Sequence, residues 1–286
     1  MSIRVRIPIL TVLLFLLAAA ALFVSSPARS ASAAADEPQR VREIVELRDL
    51  ASKTYELADG QREWVGYTEP IHYKGGDGVY EEIDNSLVTE RIRLEGTDYD
   101  LRNGANAFVA RFATRADERA LVRIDYQGKS VAFGLEGARA AAVTKTTRPV
   151  SKVLAEMTCY PGLATYADIL PGVDLLYEPR GAGVKEYLLL REPATHGEFI
   201  FNFVLKGVTV KSVDGRVSFL DEKGEPVFFL GEPFAADESG EVTKDVSYEV
   251  TETPGGCQVK VVVSQAFLTD AKRAYPVVVD PDLLIS

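Results

Sequence analysis

Histidine, cysteine, methionine and tryptophan are scarce in this 286-residue chain, with two, two, two and one of each. The two histidines, His72 and His196, cannot build a three-histidine metal site, and no HExxH or CxxC spacing occurs, which excludes the common zinc chemistries. No GxSxG elbow is present, so a serine hydrolase of that design is excluded. The one glycine cluster, Gly75-Gly76-Asp77-Gly78, carries an acid and lies between strand-like segments, whereas a phosphate cradle needs a following helix N-terminus. No unit of about 20 to 50 residues recurs, which excludes a repeat array within these residues. Nothing in these patterns implies a cofactor.

A long apolar run occurs once. Arg4 and Arg6 precede Ile7–Val24, and small residues ending in Ala31-Ser32-Ala33 follow, the pattern of a secretory signal peptide over residues 1–33. An uncleaved N-terminal anchor is the alternative. The chain is therefore expected to be secreted or at the cell surface, with membrane contact only through an uncleaved leader. Residues 1–33 hold three arginines and no acids, so their removal takes the formal charge from −10 to −13. An acidic chain without clustered Lys and Arg is expected to have no nucleic-acid partner.

The remaining chain reads as all-β. Period-2 alternation recurs in Val122/Ile124/Tyr126, Val131/Phe133/Leu135, Val173/Leu175/Tyr177, Val246/Tyr248/Val250 and Val259/Val261/Val263. Turn signals such as Asp59-Gly60, Asp214-Gly215, Lys223-Gly224 and Ser239-Gly240 separate the runs. Strands and turns spaced this closely predict an antiparallel β-sandwich architecture, one large or two packed sandwiches. Residues 34–136 form an N-terminal β half, the small, basic segment 137–152 a connection, and 153–286 a C-terminal sandwich half; a long loop within one sandwich is the alternative for 137–152. Residues 40–50 suit a strand better than a helix, and Gln265–Ala271 a brief helical turn.

The stretch from Thr165 to Arg191 is the most distinctive. Leu170-Pro171-Gly172 makes a turn, Val173, Leu175 and Tyr177 share a strand face, and Arg180-Gly181-Ala182-Gly183 returns the chain into Val184–Leu190. With an opening piece from Val45 to Leu87 and a closing piece, RAYPVVVDPDLLIS from Arg273 to Ser286, it resembles the N-terminal module of secreted bacterial YD-repeat (Rhs, wall-associated) and DNRLRE-domain proteins, and is similar to the module preceding SBBP-type repeats. Those proteins continue into long arrays, whereas this sequence stops at Ser286, as a stand-alone form or a truncated frame. The resemblance implies a non-enzymatic module that supports or presents an exported repeat protein, its partner being a repeat array of the same parent.

Two other functions are weighed beside that one. Cell-wall or extracellular glycan binding would use exposed rings, for which Trp64 and Tyr73 are candidates. A carboxylate-dependent glycosidase or lyase would need two acids across a cleft, from Glu81, Glu82 and Asp84 or from Asp168, Asp174, Glu178 and Glu186. Asp174 and Glu186 are the ligand candidates of the central hairpin, with turn and ion-pair roles the commoner use of such acids. Cys159 and Cys257 can form a disulfide in an exported protein, or remain two buried thiols.

Overall fold

In the computed structural model, residues 2–7, 39–147, 151–158, 162–193 and 197–286 are described. The chain divides into two compact units, Met1–Glu81 and Glu82–Ser286. The first contains β1 (Ser2–Ile7), β2 (Arg40–Glu43), β3 (Ser52–Leu57), β4 (Arg62–Tyr67) and β5 (His72–Lys74), and ends within β6 (Tyr80–Glu82). Strands β1 to β4 form an antiparallel sheet in the order β1-β4-β3-β2. Residues 40–50 split the sequence expectation: β2 is a strand, and Val45–Leu47 closes into a 3-10 turn. Of the expected leader, only Ser2–Ile7 falls among the described residues, as a strand antiparallel to β4.

The second unit continues with β7 (Asp84–Leu94), β8 (Thr97–Ala105), β9 (Val109–Ala113), β10 (Val122–Tyr126), β11 (Lys129–Leu135), β12 (Thr144–Thr146), α1 (Lys152–Met157), β13 (Leu163–Leu170), β14 (Val173–Arg180) and β15 (Gly183–Leu190). It is completed by β16 (Glu198–Lys206), β17 (Thr209–Val213), β18 (Arg216–Leu220), β19 (Pro226–Leu230), β20 (Phe234–Asp237), β21 (Val242–Thr243), β22 (Val246–Thr253), β23 (Gly256–Val263), α2 (Gln265–Leu268), β24 (Val277–Asp280) and β25 (Leu283–Ile285). One sheet runs β22-β23-β16-β11-β10-β9-β8-β7. The other runs β12-β13-β14-β15-β25-β19-β18-β17, with β24 beside β15 and β20. This is the all-β antiparallel sandwich that the alternation predicted. The boundary expected at 137–152 does not coincide with the division after Glu81, because β11 pairs with β16 across that segment and both belong to one sheet.

Inward-facing aromatics join the two layers. Phe133 of one sheet stands 6.1 Å from Tyr177 of the other at an edge-on angle, and Phe203 stacks on Phe219 at 5.5 Å. Such pairs add stabilisation beyond their buried area. The second sheet is also covered outside: Val153 and Leu154 of α1 pack with Leu176, Tyr187, Leu189 and Val278 in a separate apolar cluster. Ser151 caps α1 through its Oγ, and the Glu238 carboxylate accepts from the Lys152 and Val153 amides. Strands β14 and β15 are thus buried on both faces, and polar side chains on them must find partners inside the protein.

Candidate functional site

Among the described residues, the buried acids Glu178, Glu186 and Asp280 come together where β14 and β15 meet the closing strands. Along β15, Val184, Leu188 and Leu190 belong to the sandwich core, while Tyr187 and Leu189 belong to the outer cluster. Period 2 therefore sends Lys185 outward with Tyr187 and turns Glu186 inward. Leu188 pairs with Val279 of β24 and Val184 with Leu283 of β25. Between these pairs the ladder is interrupted around Pro281, which has no N–H to donate. That interruption sets Asp280 and Asp282 beside Lys185.

Lys185 Nζ lies 2.6 Å from Asp280 Oδ2 and 2.9 Å from Asp282 Oδ2. The Asp280 side chain is fully buried, whereas those of Lys185 and Asp282 keep 20% and 17% of their exposure. Burial, followed by the hydrogen bond and charge of Asp282, pushes the Asp280 carboxyl up to about 8, with Lys185 pulling the other way. Burial also works against the Lys185 ammonium, but the two carboxylates outweigh it and hold its pKa above the ordinary value. Across the next strand, Glu178 stands opposite Lys185, accepts a 2.8 Å hydrogen bond from Tyr187 Oη and lies 3.6 Å from Arg180 Nε. Two buried acids, two cations and a phenol thus occupy one patch of the outer face. The partly exposed Lys185 ammonium and Asp282 carboxylate, backed by the buried Asp280, can exchange protons with a charged substrate.

Of the candidates read from sequence, Glu178 on β14 belongs to this cluster, opposite Lys185, whereas Glu186, next to Lys185 on β15, faces the opposite way. It is 4% exposed and lines a cavity of about 20 Å³ between the sheets with Phe133, Phe201, Phe203 and Tyr248. Asp174 sits in a turn network: its Oδ1 accepts from the Asp168 amide at 2.7 Å and lies 3.4 Å from Arg191 Nη1. Asp168 is held at φ 53° there and also pairs with Arg139. In the first unit, Tyr73 Oη donates to Glu81 at 2.6 Å, and the half-buried Trp64 lays its indole over Gly66. Cys257 is a buried free thiol pushed up to about 12 by burial, and Cys159 lies outside the described residues, as does His196. His72 is wholly buried, with Nδ1 2.7 Å from the Asp49 carbonyl and Nε2 without a hydrogen-bond partner among the described residues. Lys185, Asp280 and Asp282 were not singled out, because the pairing that unites them spans nearly a hundred residues of chain. The signal available was the Asp-Pro-Asp run in the closing piece.

No family model matches the chain, and no solved structure does. Curated proteins match over 252 residues, 85% of the chain. It is 26% identical to the tRNA nuclease WapA of Bacillus subtilis (strain 168) and to the tRNA(Glu)-specific nuclease WapA of Bacillus subtilis subsp. natto. It is 25% identical to the tRNA3(Ser)-specific nuclease WapA of Bacillus spizizenii. The chain spans 10% of the length of these relatives. Their names correct two sequence expectations: a non-enzymatic module and the exclusion of nucleic acid. Net charge is a sum over the whole chain and does not forbid local cations from meeting a polyanion.

Proposed function

We propose that this chain belongs to a tRNA-directed nuclease, and that the cluster of Lys185, Asp280 and Asp282 is its candidate for the chemistry. The observation that carries the reading is the match to three curated tRNA nucleases along most of the chain. The geometry supports a transesterification with the ribose 2′-hydroxyl as nucleophile. The ribose 2′-hydroxyl gives its proton to the Asp282 carboxylate as O2′ bonds to phosphorus. The P–O5′ bond breaks, and the leaving oxygen takes a proton from the partly exposed Lys185 ammonium, which the buried Asp280 holds in place. Lys185 offsets the charge that builds on the phosphoryl oxygens. The products are a 2′,3′-cyclic phosphate end and a 5′-hydroxyl end. The signal-like residues 1–33 suit a nuclease that leaves the cell that makes it.

The test is to incubate the full chain with a tRNA pool, resolve the products on a denaturing gel and assign their end groups. Cleavage with cyclic-phosphate ends, lost in Asp280→Asn, is the expected result. Intact tRNA at every enzyme concentration would remove the reading. Cleavage unchanged in Asp280→Asn would remove the cluster's role.

A further inference from the structure

We propose that the end of the β17–β18 hairpin and the groove beside it form a track for a single-stranded RNA segment, leading to Lys185; the inference rests on the tRNA reading above. The hairpin closes through Asp214-Gly215, with φ 49° and 77°, the paired left-handed geometry of a tight two-residue turn. Its register sets Lys211 opposite Ser218 and Val213 opposite Arg216. Val217 and Phe219 face the core, so Lys211 and Arg216 share the outer face. As diagonal neighbours they stand roughly 7–8 Å apart. Both are exposed, and neither has an ion pair among the described residues. In a chain carrying ten more acids than bases, two adjacent unpaired cations are a local reversal of sign.

Two shallow depressions meet at this hairpin. One, of about 630 Å³, is lined by Lys211, Arg216 and Ser218. The other, of about 580 Å³, shares Asp214 and Arg216 with it and continues past Lys244 and Ser247 to Phe234 and Tyr248. Glu232 also lines the second, but its pairing with Lys244 is 3.9 Å long and both side chains are more than four-fifths exposed, so the lysine remains available to a phosphate. Phe234 ends the path, with its ring 5.9 Å from Lys185 Nζ. The three cations suit a phosphodiester backbone, and the ring at the end of the groove suits an unstacked base. Together they place a strand so that it ends at the proposed reactive lysine.

The probe is a fluorescent single-stranded oligouridylate, titrated with the full chain at several salt concentrations. The variants are the double change Lys211→Glu/Arg216→Glu and, as a control on the other sheet, Arg91→Glu, whose side chain is 85% exposed. The wild type is expected to bind with a salt-dependent affinity. The double variant should lose at least about tenfold and flatten the salt slope by roughly 1.4, two contacts at about 0.7 each. Arg91→Glu should bind as the wild type does. Absence of oligonucleotide binding, an unchanged double variant, or equal weakening by Arg91→Glu would overturn the track. Failure of the two readings is separable. Binding that depends on Lys211 and Arg216 without any tRNA cleavage leaves the track and removes the nuclease. Cleavage with an unchanged KM in the double variant does the reverse.

Discussion

Replacing Glu186 with Gln should make the sandwich less sensitive to alkali, by an amount that grows with pH. Glu186 is buried between the sheets against Phe133, Phe201 and Phe203. Burial drives its carboxyl well above the usual range, the Tyr177 hydroxyl pulls it back in part, and Asp280 and Asp282 add to the rise. A carboxyl whose folded pKa is raised contributes full stability below its unfolded pKa of about 4.3 and loses it as pH climbs toward the folded value. Within that window the native state holds one proton more than the unfolded chain, so stability falls by about 1.4 kcal/mol per pH unit. Gln keeps the shape of the protonated acid and cannot ionise. The stability of Glu186→Gln relative to wild type should therefore improve as pH climbs from about 5 toward the folded value, by up to about 1.4 kcal/mol per unit. Urea unfolding followed by far-ultraviolet circular dichroism reads this, since the single tryptophan, Trp64, lies in the other unit. A difference between the two proteins that stays flat across the window would refute the argument.

Three other perturbations test separate parts of the structure. Lys185→Met strips the buried Asp280 of its nearest cation, so the variant should lose stability relative to wild type in urea unfolding as pH rises through about 8, a dependence that Lys185→Met/Asp280→Asn should remove. Asp237 resists its burial through hydrogen bonds from Ser239, Arg273 and the Ala274 and Glu241 amides, which hold its carboxyl well below the usual range. Stability from this group is present above about pH 4 and lost as pH falls through the folded pKa; Asp237→Ala should remove about 3 kcal/mol at neutral pH and reduce the acid sensitivity of unfolding. Gly66→Ala puts a methyl group where the Trp64 indole lies, so the ring must move toward water; a red shift in emission and a loss of about 1 kcal/mol are expected.

The strands were legible because most alternate cleanly, as in Val259/Val261/Val263, where one face meets the core and the other meets solvent. The hairpin from Thr165 to Arg191 was legible as well, since Pro171-Gly172 allows a tight turn and Gly172 adopts φ 71° there. The partners of β15 were hidden. Local pattern cannot say that Val184 and Leu188 pair with Leu283 and Val279, and without that pairing Lys185 and Asp280 are two unrelated charges. Alternation put Lys185 and Glu186 on opposite faces without telling which face was core, because β15 is apolar on both. Asp174 belongs to the turn at which it was expected, tied to the Asp168 amide. The segment 137–152 looked like a boundary for its composition, yet β11 and β16 pair across it.

The measurement that tests the central claim most directly is the initial rate of tRNA cleavage by the full chain, wild type against Lys185→Met, with circular dichroism confirming that both are folded. The account predicts cleavage by the wild type and a rate at least about a hundredfold lower in the variant, the scale of losing one charge-stabilising group. Intact tRNA with the folded wild type, or equal rates for the two proteins, would contradict it.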